Sequence, residues 1–331
     1  MRKKMFLILS IILVAGILTA FLGVALGAKF YAYIDKTGVH IDDEIVEIPW
    51  QEIEEITDID IMVSSSNIEF CKSEKFGIEM RTYRQTTYDV SDGKLVISDH
   101  GDSFKFNIGF NFFNINEIYI KVYLPENEEL NSVKINTDYG NININNLSAD
   151  LVDLSDSFGS IKISDISAGK INANLSNGSF RCRNVEADVF IYKNDFGSGT
   201  FDDVKFNDCS LEASNGKLEV NTSRIFTLKA ENDFGKITLR GLVSDNVKIN
   251  ASNGAIDLQG DFKNIDICSD FGSIQIDTVR PADYYSCKFE TDFGSIKVDG
   301  ENFGNRYMSN YTQNIIHASA SNGSINMNFN K

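Results

Sequence analysis

Histidine is almost missing from this chain. The three present, His40, His100 and His317, are scattered, and none has a Cys or His partner at zinc spacing, which argues against a His-built zinc site. Basic residues are also in deficit, 31 against 47 acidic, for a formal charge of -16. Nucleic acids and anionic lipid headgroups are polyanions, so that balance argues against binding either and suits a solvated surface. Tryptophan occurs once, at Trp50. The five cysteines are an odd set for an exported protein. Long apolar runs are absent after Ala28.

What the chain does have is a recurring phrase: Ser-Asn-Gly or Asp-Phe-Gly, a small polar residue, then an aliphatic one. Its glycines are Gly140, Gly159, Gly178, Gly197, Gly216, Gly235, Gly254, Gly272, Gly294 and Gly323. From Gly140 to Gly254 the step between them is constant at 19, and the last three steps are 18, 22 and 29. A fixed period near this length marks a stacked-repeat architecture.

Positions seven and five before each glycine, and two and four after it, are apolar. In one repeat they are Val152, Leu154, Ile161 and Ile163; in another, Leu228, Ala230, Ile237 and Leu239. Only Gly199 fails to supply an apolar side chain. Alternation at a spacing of two means strand with one buried face. Each repeat therefore reads as two short strands joined at a glycine corner, where the preceding Asp or Ser can bond a nearby amide. A lone coil cannot bury its inward face, but coils stacked about 4.8 Å apart can. Each well-buried aliphatic is worth roughly 1.5–3 kcal/mol, enough for a continuous core. The expected fold is all-β: a single-stranded β-solenoid, β-helix-like, of about ten 19-residue coils.

The residue before the glycine alternates in type. It is aromatic at Tyr139, Phe158, Phe196, Phe234, Phe271 and Phe293, and asparagine at Asn177, Asn215, Asn253 and Asn322. Two residues earlier the types reverse: polar before an aromatic, apolar (Leu175, Ala213, Ala251, Ala320) before an asparagine. Packing of one corner volume from either position is the plainer reading. An aromatic stripe for sugar or peptide ligands is the other, and exposure of the rings would favour it.

The chain opens Met1-Arg2-Lys3-Lys4, followed by 24 uncharged residues from Met5 to Ala28. That length spans a bilayer, and the basic flank sets the N-terminus in the cytoplasm. An uncleaved anchor is preferred over a signal cleaved near Ala25-Leu26-Gly27. The domain division follows: residues 1–28 an N-terminal transmembrane helix, 29–57 a juxtamembrane linker, 58–130 an irregular β cap, and 131–331 the regular repeats. In the linker, Gln51-Glu52-Ile53-Glu54-Glu55-Ile56 reads as a short helical turn. The cap protects strand edges that an open stack would expose.

Two places are candidates for partner binding. Phe104, Phe106, Ile108, Phe110 and Phe112 alternate with other residues as a cap strand or as an apolar edge for a partner or membrane. The last two repeats are lengthened, and the insertion carrying Phe303, Arg306 and Tyr307 is either a binding loop or a C-terminal cap.

The run Ile118-Tyr119-Ile120-Lys121-Val122-Tyr123-Leu124-Pro125, followed by the Gly-x-Ile-x-Ile repeats, resembles a bacterial family. These are the putative-adhesin, β-strand-repeat proteins of the domain-of-unknown-function class. The resemblance covers about residues 59–331. It implies a β-solenoid in the cell envelope, often tethered by one helix and linked to envelope stress or adhesion, and it brings no catalytic residues.

Other chemistry finds little support in the residues. Asp-Phe-Gly recurs as part of the repeat, without a Gly-rich loop, paired lysine or His-Arg-Asp. Corner aspartates would mostly recur about 9.6 Å apart, too far to share calcium, whose ligands sit within about 2.6 Å. Cys209 and Cys287 lie four coils apart, about 19 Å, and a disulfide needs Cα atoms within about 7 Å. Cys182, Cys209 and Cys287 read as small buried hydrophobes and Cys268 as a free outward thiol. Leu124-Pro125-Glu126-Asn127 is internal, so it is no sortase signal.

The sequence thus points to a non-enzymatic, membrane-tethered, extracytoplasmic solenoid of the bacterial cytoplasmic membrane. It would act in adhesion, scaffolding or an envelope-stress response, with no catalytic, cofactor or metal site. Its expected partners are the cytoplasmic membrane, through the N-terminal helix, and a cell-envelope polymer or surface protein. Two alternatives are a carbohydrate-active β-helix enzyme acting on envelope glycans and a regulatory partner of a membrane sensor.

Overall fold

The computed structural model describes residues 45–83, 85–99 and 118–330. It also describes the backbone of the short strands Ala32–Asp35, Gly38–His40 and Phe106–Ile108, and five single positions between 13 and 23. The expected transmembrane segment falls almost wholly outside these residues. Among the described residues no helix is long and apolar enough to cross a membrane.

Alternation along the chain produces the stack it predicts. Strand Glu129–Phe196 runs on through several corners, and parallel ladders then join each coil to its successor. Phe190 lies over Cys209, Tyr192 over Leu211 and Leu228 over Val247. Ile161, Phe180, Leu218 and Ile237 share one internal column and are all essentially buried. The fold is a β-solenoid. Outside the column, short side chains tie neighbouring coils: Asn184 donates to Asp165 at 2.6 Å, Asn207 to Asp188 at 2.8 Å and Asn221 to Asp202 at 2.8 Å.

The coil has three sides, not the two strands read from the sequence. Six residues after the glycine a second corner takes left-handed backbone at Asn146, Asp165, Asn184, Asp203, Thr222 and Gly241, with φ of 61°, 55°, 51°, 54°, 48° and 62°. Asn, Asp and Gly accept that conformation most readily. A short third side then buries Leu147 and Ala149, Val185 and Ala187, Val204 and Phe206. The exception at Gly199 is also explained. Tyr192, fully buried, lies where a Gly199 side chain would project, and the ring fills that volume. Phe180 and Phe201 pack on it with centroids 5.1 and 5.4 Å away, and Phe190 and Phe206 extend the cluster at centroid distances of 4.5–6.0 Å, a favourable range for aromatic contacts.

At both ends the spatial order departs from the sequence order. The last strands, Ile315–Asn322 and Ile325–Asn328, are inserted between Ile256–Phe271 and Ile274–Thr278 on one side and Ser286–Thr291 and Ile296–Val298 on the other. The glycine corners therefore stack in the order Gly254, Gly272, Gly323, Gly294. At the start, strands Asp58–Ser65 and Asn67–Lys72 lie directly under the Gly140 coil, and Lys94–Asp99 and Tyr119–Leu124 lie outside them. The parallel stack thus reaches back to Asp58.

Antiparallel strands close both ends. Ile45–Glu52 pairs with Gly77–Tyr83, and its register shifts between Ile48 and Gln51 around Pro49, where proline withholds a ladder donor. This corrects the helical turn expected over residues 51–56. Strand occupies Gln51 and Glu52, and an irregular connection follows that buries Ile56. At the other end Glu301–Asn302 and Arg306–Met308 fold back against Ile296–Val298 and Ser286–Thr291.

Candidate functional site

The residue before each corner glycine leaves the interior. Tyr139, Phe158, Phe196, Phe234 and Phe271 are 50–56% exposed and Phe293 is 78% exposed, which overturns the corner-packing reading. The polar residues two positions earlier are the buried ones: Thr137, Asp156, Asn194, Asn232, Ser269 and Thr291. Three of them bond across the coil gap. Asn194 Nδ2 donates to the Gly178 carbonyl at 3.0 Å, Asn232 Nδ2 to Gly216 at 2.9 Å and Thr291 Oγ1 to Gly323 at 2.8 Å. Such bonds satisfy corner carbonyls that would otherwise be buried without partners.

Asp156 occupies the same place but carries an acid. Its Oδ1 accepts from the Phe158 amide at 3.2 Å, while Oδ2 is buried without a partner beside the Gly140 carbonyl. Burial, with a smaller contribution from the Asp138 charge, pushes its pKa up from 3.8 to about 6. The folded chain therefore holds this proton more tightly than the unfolded chain. The stability it contributes is full below about pH 4 and is lost as pH rises through about 6. Asp156→Asn places a permanent donor there, as at Asn194. The variant should gain about 1–3 kcal/mol at pH 7.5 and little at pH 4, read by urea denaturation at the two pH values. An equal effect at both would show that the carboxyl titrates normally.

The exposed rings form one row. Register places Phe196 over Asn215, Asn215 over Phe234, Phe234 over Asn253, Asn253 over Phe271 and Phe271 over Asn322, with the Phe293 amide bonded one coil further on. Phe271 and Phe293 follow each other in the repeat, and only the inserted C-terminal strands bring Asn322 between them. Beyond Phe158, aromatic and asparagine thus alternate to the end of the row. The one adjacent pair, Tyr139 and Phe158, stacks at 5.2 Å with planes 9° apart. Asp138, Asp195, Asp233, Asp270 and Asp292 stand one residue before a ring.

A second concavity follows the third side of the coils, a shallow groove of about 610 Å³ lined by Glu186, Lys205, Arg224, Phe226, Val243 and Asp245. Lys205 pairs with Glu186 and Lys263 bonds Asp245 beside it, so much of its charge is matched internally. Among the described residues no group of His, Cys, Asp or Glu could hold a metal ion. Cys182, Cys209 and Cys287 are buried free thiols and Cys268 is an exposed one. Burial pushes the Cys287 thiol up to about 11.

Phe104, Phe110 and Phe112 lie outside the described residues. Of Phe106 only the backbone is described, in a strand antiparallel to Ala32–Asp35. Phe303, Arg306 and Tyr307 belong to the antiparallel closure of the C-terminal end. Tyr307 stacks on Phe289 at 5.6 Å and meets Phe303 edge-on at 4.8 Å, and Arg306 bridges to Glu290 at 3.3 Å. The glycine corners form one axial row, each backbone pressed on the carbonyl of the coil beside it.

Solved structures with a related outline include a putative adhesin from Bacteroides fragilis, 12% identical over 87% of this chain and 97% of that one, at a TM-score of 0.35. A putative adhesin from Parabacteroides merdae is 12% identical over 86% and 96%, at 0.43. A putative lipid binding protein from Parabacteroides distasonis is 16% identical over 86% and 96%, at 0.34. At these scores the likenesses carry no functional conclusion. No curated protein matches the chain. The family model described as Toastrack DUF4097 matches residues 56–189 and again residues 169–328. Together the two matches span nearly the whole described stack, and the chain belongs to the Toastrack family.

Proposed function

We propose that the chain is a non-enzymatic binding module of the bacterial cell envelope, in which the ring row is the contact surface. Residues 1–28 tether it to the cytoplasmic membrane, and the solenoid stands outside, where it serves adhesion, scaffolding or an envelope-stress response. One observation carries this reading: a rigid stack holds six large rings in water at one corner, while most of its apolar residues line the interior. Exposed aromatic rows are costly to keep unless they meet a partner.

The test uses full-length protein and three probes: isolated peptidoglycan, teichoic acid and an envelope protein fraction. Wild type should bind one of them, and Phe196→Ala/Phe234→Ala/Phe271→Ala should lose at least about tenfold of that affinity, or about 1.4 kcal/mol. The three side chains are exposed, so the variant keeps its fold. Unchanged binding would remove the ring row from the site, and binding to none of the probes would remove the function. Protease access to the solenoid in intact cells, against access in inverted vesicles, tests its placement outside the membrane.

A further inference from the structure

We infer that the gaps between successive rings are slots, each taking one pyranose ring, so that the row binds polymers bearing single neutral sugars as side branches or chain ends. This rests on the ring row being the contact surface.

Orientation comes first. Tyr139 and Phe158 stack coil upon coil with planes nearly parallel, so rings at this corner lie across the long axis like teeth. A polymer running along the row would meet only their edges. A group entering between two teeth meets a face on either side.

Width comes next. Where asparagine coils intervene, successive rings stand two strand spacings apart, about 9.6 Å. A flat aromatic guest making carbon contacts of about 3.5–4.0 Å on each face needs teeth only about 7–8 Å apart. The slot is wider, which suits a puckered saturated ring whose axial C–H bonds point at both faces, positive edge to negative π surface.

The floor and flank are polar. The amides of Asn177, Asn215, Asn253 and Asn322 have no side-chain partner among the described residues, unlike Asn184, Asn207 and Asn221. Ser214 and Ser252 flank the floor, and Asp195, Asp233 and Asp270 flank the teeth. Amides, hydroxyls and carboxylates together satisfy sugar hydroxyls, which both donate and accept. The carboxylates and the formal charge of -16 repel uronic, sialic or phosphorylated sugars. They also repel a second copy of the row, whose aspartates would face these. Single slots are weak, and several slots on one polymer add by effective concentration.

Asn215→Phe/Asn253→Phe provides the test, because it closes slots by adding rings. The Tyr139–Phe158 pair shows that rings in adjacent coils fit. Full-length protein is titrated with galactomannan, which carries single galactose branches, with unbranched glucomannan and with anionic alginate. Galactomannan should bind best and alginate not at all. The double variant should lose galactomannan affinity at least about tenfold, although its apolar surface has grown.

Tighter binding by the ring-adding variant would overturn the slots, because the row would then act as a plain apolar surface. Equal affinity for glucomannan would overturn them too, as would no affinity for galactomannan. All three results leave the contact surface itself to the alanine variants, whose unchanged binding would end the broader proposal instead. A dimer in sedimentation that dissociates on Phe234→Ala would overturn the slots as well, assigning the row to a second copy.

Discussion

Gly216→Val should unfold the middle of the solenoid. A Cβ on Gly216 would fall on the carbonyl of Gly197 in the next coil, and every corner glycine from Gly159 to Gly323 meets the same obstruction. The contact is backbone on backbone, so no rotamer change relieves it. Either the coils part at that corner, losing bonds such as Gly197 N–H to the Asn215 carbonyl at 2.8 Å, or the turn is rebuilt. Overpacking of this kind costs about 3 kcal/mol or more, a large part of a domain's usual stability. Lys217→Ala, one residue away and exposed, should change stability by less than about 0.5 kcal/mol. Urea denaturation of both variants makes the comparison. Equal midpoints would mean that the coils are further apart than described.

Deletion of residues 315–331 has a still wider expected effect. The lost strands lie inside the stack, with Ile316, Ala318, Ala320, Ile325 and Met327 buried between two other coils. Their removal deprives residues 286–298 of the parallel coil they stack on and exposes Ile265, Ile267 and Ile274. Five buried apolar side chains are worth roughly 5–10 kcal/mol in transfer alone. Because coupling in a stack runs between neighbours, the N-terminal coils should survive. Hydrogen exchange should lose protection from about residue 279 onward and keep it before Gly254. Persistent protection at Phe289 would mean that the coils follow sequence order after all.

The interior columns were legible because four apolar positions recur at a fixed distance from glycine, and only buried parallel strands need that. The third side was not. Its inward pair is often Ala or Ser, as at Ala149, Ala187 and Ser223, and two residues are too short a run to display a period. A signal existed nonetheless in the column Asn146, Asp165, Asn184, Asp203 and Gly241, a row of left-handed formers interrupted by the β-branched Thr222. The rings depart from the strand alternation by one step of parity. Positions seven, five and three before the glycine face inward, but the chain turns at the corner and carries the next such side chain out. Nothing in the spacing revealed that corner carbonyls need donors from inside, which is what Asn194 and Asn232 supply. The order of the end coils was hidden too, since the wider steps to Gly294 and Gly323 give loop lengths and not neighbours.

The alternation of ring and asparagine makes the stack's unit of growth two coils rather than one. A chain lengthened by a pair of coils would continue the same rhythm, whereas one lengthened by a single coil would set two like residues side by side, as the aromatics Tyr139 and Phe158 stand now. That pair is a phase slip in an otherwise regular ruler. Any gain or loss of repeats that preserves the spacing of contacts along this edge must therefore come in even numbers.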